Sequence, residues 1–553
     1  MKKSWLFIFA IGLIFGFVLA DKTGSIGSID VKAAQKLINL DFNEAEIDTM
    51  LAYLGDNLKA YDSMRTFSLD NDITPAVSFD PYPFDLEIIA GPELMDWQIN
   101  ENIRLPKNKE SIPFMSIMEL AGLIKSRQLS SVELTEIYLE RIKKYDPKLQ
   151  SFITVTEDLA LSQAKKADEE IAAGKYRGPL HGIPYGIKDL ASVPVYRTTW
   201  GAAPYKDQVI NQTATVAKKL EDAGAVLLGK LVSGSLARGD VWFGGKTKNP
   251  WDLTQGATGS SAGSGSATAA GLVGFSIGTE TLGSIVSPST RCGATGLRPT
   301  FGAVSRSGFM TLSWSMDKVG PICRNASDCA IVYDYIRGQD GMDRSVQNAG
   351  FDYLEKPNIR ALKVGYFYSQ FESDTSQNHI HNKRTLAEFK KMGIIPEKVA
   401  LPEKYPFGVF DIILRAESGA FFDELILSGR DSLMVEQDKN SRANSLRQSR
   451  FIPAVEYIQA NRHRRMLIEE MHALIKDYDV IISPTFGGRQ MLITNLTGHP
   501  ALSLPNGFDK KGRPTSITLV GNYFGEGKIL ALAEAYQQRH QYHGNVPKGI
   551  DSK

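Results

Sequence analysis

A run of small and hydroxyl-bearing residues, Gly256 to Thr300, holds the chain's densest supply of hydroxyls and close-approach backbone. It reads GATGSSAGSGSATAAGLVGFSIGTETLGSIVSPSTRCGATGLRPT and carries almost no charge. A solvated linker would lack its apolar middle, Leu272 to Ile277. That middle predicts a buried strand between Gly and Ser loops, where the backbone can approach a ligand and turn its N–H groups inward. Four chemistries compete for such loops. A phosphate loop would need Gly-Lys-Ser/Thr after the glycines, and none follows; the glycine spacing also fails the dinucleotide fingerprint. A nucleophile elbow is matched by Gly259-Ser260-Ser261-Ala262-Gly263, with Ser261 as nucleophile. Its context is wrong, because Asn249 to Gln255 is no buried strand and the later His499 and His540 stand alone. The third reading is tight helix–sheet packing with no chemistry. The fourth is a serine hydrolase whose base is a lysine supplied from upstream.

Several motifs in chain order select the fourth. Gly182-Ile183-Pro184 leads to Lys188-Asp189. Asn249-Pro250-Trp251-Asp252 precedes Gly259-Ser260-Ser261-Ala262-Gly263-Ser264. Gly278-Thr279-Glu280-Thr281-Leu282-Gly283-Ser284-Ile285 is followed by Cys292-Gly293, Gly296-Leu297-Arg298-Pro299-Thr300 and, far downstream, Thr497-Gly498-His499-Pro500-Ala501-Leu502-Ser503-Leu504-Pro505. Together these resemble the amidase signature family over residues 111–545. The resemblance implies a Ser–Ser–Lys triad that works without histidine: Ser284 as nucleophile, Ser260 as the bridging serine after a cis peptide bond, Lys188 as base. It implies an oxyanion hole from the backbone N–H groups of Thr281, Leu282, Gly283 and Ser284. The implied reaction is hydrolysis of a linear carbon–nitrogen amide through an acyl-serine, with no cofactor and no metal.

That chemistry makes a demand on Lys188. A serine hydroxyl is a weak nucleophile until a neighbour takes its proton. Lysine can do so only when neutral, and its reference pKa is ~10.4. Burial without a carboxylate partner lowers this by ~3–5 units, so Lys188 is expected buried beside hydroxyls and away from a counter-ion. The chain departs from the family pattern at Glu280 (usually Asp), Leu282 (usually Gly) and Val286 (usually Arg), which bears on specificity more than on the triad. Two alternatives stay open: the glutamine-hydrolysing subunit of a tRNA-dependent amidotransferase, and a catalytically inactive binding protein on the same scaffold.

The elements that must position these residues read as alternating strands and helices, which argues for a layered α/β/α sandwich around a mixed sheet. Ser116 with Glu119, and Ser130 with Glu133, have capping-box spacing at two helix starts. Leu134, Ile137, Tyr138 and Ile142 give the second an apolar stripe. A third helix spans about Glu157 to Ala173 and stops at Gly174. A strand-like segment, 179–189, carries Lys188. Thr213–Ala223, Lys383–Lys391, Pro453–Asp477 and Lys528–Gln537 read as helices; Ala225–Leu228, Leu362–Phe367, Val480–Ser483 and Ser516–Val520 as strands. Residues 21–110 read as an extension, helical over Asp30–Leu58 and then rich in Asp and Pro to 106. The amidase domain is placed at 111–545, with a short tail, 546–553.

Composition is that of an ordinary globular protein: 553 residues, 63 Lys+Arg against 62 Asp+Glu, 42% hydrophobic. A net charge of +1 gives no reason to expect nucleic acid; the expected partner is a small-molecule or peptide amide substrate. Oligomeric state is left open, a homodimer included. Lys2 and Lys3, an apolar run from Trp5 to Ala20 and Val18-Leu19-Ala20 before Asp21 read as a signal peptide over 1–20. The run is shorter than the ~20 residues a membrane helix needs. The expectation is an exported, periplasmic or extracellular protein without stable membrane insertion after cleavage, an uncleaved anchor being second choice. Three cysteines, Cys292, Cys323 and Cys329, are odd in number and lack zinc spacing. They read as buried thiols, with a Cys323–Cys329 disulfide open in an oxidising compartment. His379 and His381, in a polar stretch, read as solvated.

Overall fold

In the computed structural model the strand Phe275–Glu280 is buried at all six positions, as are Val226–Leu231 and Lys318–Cys323. Side chains alternate faces along a strand, so burial at every position means that both faces of the sheet are covered. The sheet has eleven strands: β1 (Phe152–Val155), β2 (Pro184–Lys188), β3 (Val226–Leu231), β4 (Phe275–Glu280), β5 (Thr295–Arg298), β6 (Lys318–Cys323), β7 (Val364–Phe367), β8 (Glu397–Val399), β9 (Val480–Pro484), β10 (Ala501–Phe508) and β11 (Pro514–Gly521). Their order is β1-β3-β2-β4-β6-β5-β10-β11-β9-β7-β8. β2 runs parallel to both β3 and β4, whereas β4 is antiparallel to β6. The expected α/β layering around a mixed sheet is therefore the fold.

The structure describes residues 26–550, apart from 67–69, 71, 72, 74, 84, 92, 93, 355, 356, 377 and 549. The signal-peptide reading of 1–20 lies outside the described residues. The chain divides into two compact units, one through Ile73 and one from Thr74 onward. In the first, the helical stretch expected at 30–58 is two helices, Ser28–Leu37 and Glu44–Met64. Asn43 makes the break. Its side chain accepts from Glu46 N–H at 3.1 Å, and the Glu46 carboxylate accepts from Asn43 N–H at 2.8 Å, a capping box that starts the second helix.

In the larger unit both expected capping boxes are present, Ser116 with Glu119 and Ser130 with Glu133. The third helix ends at Ala172, with Gly174 at φ +82°. The stretch after Thr74 is held by long-range bonds. Tyr82 Oη donates to the Phe301 carbonyl at 2.7 Å. The buried Asp334 accepts from Met95 N–H at 2.8 Å and Trp97 Nε1 at 3.0 Å, and its other oxygen takes Arg337 at 2.9 Å.

Three readings are corrected. The strand expected from Leu272 begins at Phe275, because Leu272 to Gly274 form the turn that enters it. The helix expected from Lys383 begins at His379, so exposed His379 and half-buried His381 lie in its first turn. The strand Ala501–Phe508, read only as part of a motif, lies between β5 and β11. Pro505 inside it hides the strand pattern, and a register shift between Pro505 and Gly507 absorbs it. All three cysteines are buried free thiols. Among the described residues no helix is long and apolar enough to cross a membrane.

Asp334→Ala takes the carboxylate from a buried arginine and the acceptor from the Trp97 N–H. The expected loss is ~3 kcal/mol, read as a lowered thermal midpoint by circular dichroism. An unchanged midpoint would show that this anchor contributes nothing.

Candidate active site

Lys188 ends β2, the strand held in parallel register between β3 and β4. Its side chain is fully buried. Nζ lies 2.8 Å from Ser260 Oγ, 2.8 Å from Thr279 Oγ1 and 3.0 Å from Ser261 Oγ. Among the described residues no carboxylate pairs with it. The adjacent Asp189 points the other way, as strand alternation requires. It is taken by Lys230 at 2.9 Å and by Thr199 N–H at 2.9 Å. Burial pushes the Lys188 amine down to about 7, against the pull of Asp317 and Glu280. The expectation of a buried lysine among hydroxyls holds in this geometry.

Ser260 and Ser261 come from the turn before the helix Ala262–Ala269. The Gly259–Ser260 peptide is cis. A Cβ on Gly259 would sit 1.8 Å from the Gly239 carbonyl oxygen, so no larger residue fits there. Ser261 Oγ accepts from Thr279 N–H at 3.1 Å and contacts the Thr279 carbonyl at 3.1 Å, besides its bond from Lys188. Fully buried and held this way, Ser261 is no exposed elbow, and the strand before it, Asp252–Gly256, belongs to a separate two-stranded ribbon. His499 is buried on Thr497 at 2.7 Å, and His540 faces Glu388 at 3.4 Å.

Ser284 lies in the loop between β4 and the short helix Val286–Cys292. Its carbonyl accepts from Ser261 N–H at 3.1 Å, which ties the two serine segments together. Lys188 and Ser260 are 0% and 1% exposed, whereas Ser284 is 9% exposed, the one of the three that reaches solvent. Among the described residues the N–H groups of Leu282, Gly283 and Ser284 donate no hydrogen bond. Gly283 has φ +83°, and a Cβ there would lie 2.7 Å from Met491 Sδ, so the turn requires glycine. Thr281 is buried and its hydroxyl donates to Asp317. The arrangement offers a hydroxyl-bearing residue that is the least buried of the three, unused backbone donors beside it and a low-pKa amine in the same cluster of loops, the parts needed for acyl transfer.

Glu280 holds this loop from below. One oxygen accepts from Ile285 N–H at 2.8 Å and Val286 N–H at 2.9 Å; the other takes Arg298 at 2.9 Å and Asn495 Nδ2 at 2.8 Å. Burial would raise this carboxyl, but Arg298, the two amides and Asn495 outweigh it and hold it at about 2. Val286, where the family pattern has a cation, is buried, and the cation on Glu280 is Arg298. Leu282 is 39% exposed, so its added bulk reaches solvent while its backbone stays in the loop. The sequence reading missed Thr279 and Asp317 as partners of the cluster and gave Ser261 only the elbow role. Strand alternation could have found Thr279; nothing local signals Asp317.

Eleven-stranded mixed sheet, serine loops and buried lysine define the class, a hydrolase of layered α/β architecture with a lysine–hydroxyl centre. The Amidase family profile matches residues 133–493, and the chain belongs to the amidase signature family of hydrolases acting on carbon–nitrogen bonds. It is 32% identical over 483 residues to a glutamyl-tRNA(Gln) amidotransferase subunit from Methylococcus capsulatus, covering 79% of this chain and 99% of that protein. Among solved structures it resembles native peptide amidase from Stenotrophomonas maltophilia (TM-score 0.72, 28% identity, 80% of this chain and 100% of that one). It also resembles an amidase family protein from Bacillus anthracis (TM-score 0.70, 25% identity, 80% and 94%).

The lowered lysine pKa has a consequence for stability. From about 7 up to the ordinary 10.5, the unfolded chain holds a proton on Lys188 that the folded chain does not. Its contribution to stability therefore rises with pH through that window and is least favourable below it. Lys188→Met removes this burden at pH 7, and the variant is expected to melt no lower than wild type while losing activity. A midpoint several degrees lower would contradict a neutral, desolvated amine.

Proposed function

We propose that the chain is an exported amidase that hydrolyses a linear amide to an acid plus ammonia or an amine, with Ser284 as nucleophile, Ser260 as bridge and Lys188 as base. The observation that carries this reading is Lys188 Nζ, buried without a carboxylate and 2.8 Å from Ser260 Oγ. Ser284 Oγ attacks the amide carbonyl as its proton passes to Ser260 and that of Ser260 to Lys188. The tetrahedral oxyanion is held by the backbone N–H groups of Thr281, Leu282, Gly283 and Ser284. The C–N bond breaks as the proton returns through Ser260 to the leaving nitrogen. An ester on Ser284 remains, and water, activated by the same relay, releases the acid. Export rests on the residues of the N-terminal segment, Lys2 to Ala20.

The second reading, a glutamine-hydrolysing subunit of an amidotransferase, is favoured by the name of the relatives at 32% identity. It would need a partner chain and tRNA, which export would deny it.

The test is covalent labelling by a small fluorophosphonate, mapped by peptide mass spectrometry. An adduct on Ser284, absent in Lys188→Ala, is expected; an adduct on another residue, or none on folded protein, would overturn the assignment. Ser284→Ala and Lys188→Ala should each cost at least roughly 10³-fold in kcat/KM. Because only the neutral amine accepts a proton, log kcat/KM should rise with unit slope below pH about 7 and flatten above it. A flat profile from pH 5 to 8 would exclude Lys188 as base. Recovery outside the cytoplasm of a chain beginning near Asp21 would support export, and a wholly cytoplasmic chain would refute it.

A further inference from the structure

The loop Gly234–Gly239 runs beside the serine cluster. Gly234 N–H donates to the Ser260 carbonyl at 3.1 Å, and the Gly239 carbonyl presses on Gly259. Between them lie Leu236 and Ala237, with φ of +47° and +59°, and then Arg238. Arg442, buried at the start of the helix Arg442–Ser449, holds this turn. Its Nε donates to the Leu236 carbonyl at 3.1 Å and its Nη2 to the Ala237 carbonyl at 3.2 Å. Those carbonyls are its only partners among the described residues. The half-buried Arg238 side chain has neither ion pair nor hydrogen bond among the described residues.

The carboxylates in this neighbourhood are committed elsewhere. Asp317 accepts from Thr281, from Leu312 N–H at 2.7 Å and from Ser313 N–H at 2.9 Å. Asp411 pairs with Arg415 at 2.7 Å. Asp240 accepts from Thr258 N–H at 2.8 Å and faces Lys246 at 3.8 Å. Burial first, and then the charge of Arg238, push the Arg442 guanidinium down to about 10. The chain as a whole is nearly neutral, at +1, so this is no spill-over of a basic surface. Arg238 lies on a loop bonded to the candidate bridging serine, and Arg442 backs that loop from its own helix; among the described residues neither guanidinium has an anion, and a carboxylate would complete one in matching planar geometry.

We infer that Arg238, backed by Arg442, forms an anion subsite beside the serine loop, and that the substrate is an amide carrying a carboxylate. The inference rests on the amidase reading above and narrows its substrate class. It is tested on the full chain by the rate at which a fluorophosphonate labels Ser284 in the presence of glutaramate or of pentanamide, which has the same chain length and no carboxylate. Glutaramate should give half-protection at a concentration roughly tenfold or more below that of pentanamide, about what one charge-assisted contact supplies. Arg238→Met should bring the two concentrations together, and high salt should narrow the wild-type ratio. Should that variant fail to fold, the wild-type ratio at low and high salt decides. Equal protection by the two amides in wild type, or a ratio that survives in Arg238→Met, would overturn the subsite alone. Failure of Ser284 to label at all would overturn the amidase reading and the subsite with it.

Discussion

An amine buried where no carboxylate can reach it is the constraint on which the rest of the site depends. Three carboxylates lie near enough to matter, and each is drawn away. Asp189, next in sequence, is turned by strand alternation toward Lys230. Glu280 is occupied by Arg298 and two backbone N–H groups. Asp317 is spent on Thr281 and on the turn at Leu312 and Ser313. Glu280 and Asp317 still pull the Lys188 amine toward its charged form, but desolvation is the larger effect and takes it down to about 7. A single direct ion pair would reverse that order, because an opposite charge within about 4–6 Å favours the charged state. The hydroxyls of Ser260, Ser261 and Thr279 satisfy the amine without supplying that charge.

The second constraint is on the loop that presents Ser284. A backbone that aims N–H groups at a developing oxyanion must be held in place before the reaction begins. Here β4 ends in Glu280, and its carboxylate reaches past the loop to the two amides that follow Ser284. Thr281 is fixed to Asp317 at one shoulder, and Gly283 supplies the left-handed turn at the other. The loop is thus pinned at both ends by buried carboxylates, while its middle N–H groups stay unused. Lys188 and Glu280 divide the electrostatics between them: burial takes the amine of one down to about 7, where the proposed proton transfer needs it, and the partners of the other keep it ionised to hold the scaffold.

What could be read in the sequence was local. The capping boxes at Ser116 and Ser130 and the stop at Gly174 are short-range hydrogen-bonding patterns, and they lie where spacing put them. The Gly/Ser loops announced close backbone approach, and Gly259 and Gly283 are the places where a Cβ would collide. What could not be read was long-range. β10 is a central strand interrupted by proline, and only pairing with β5 and β11 makes it one. The two helices before Ile73 looked like one because their apolar spacing is similar, and the Asn43 capping box decided otherwise. Spacing suggested that Lys188 ends a strand, but that Asp189 faces away and Asp317 stays occupied depends on residues tens to more than a hundred positions distant.

The departures from the family pattern then fall into two kinds. A buried side chain such as Glu280 can change if its hydrogen bonds are still met, and Arg298, Asn495 and two backbone N–H groups meet those of Glu280. An exposed one such as Leu282 leaves its N–H in the loop and alters only what the mouth of the site touches. The proposed reaction uses backbone donors, two serine hydroxyls and one amine, none of which depends on the identity of the surrounding side chains. The side chains around those groups can therefore diverge without cost to the proposed chemistry, and the exposed, apolar Leu282 is one that has. Under that reading, selection among amides belongs to such side chains, and the breaking of the amide to the buried groups beneath them.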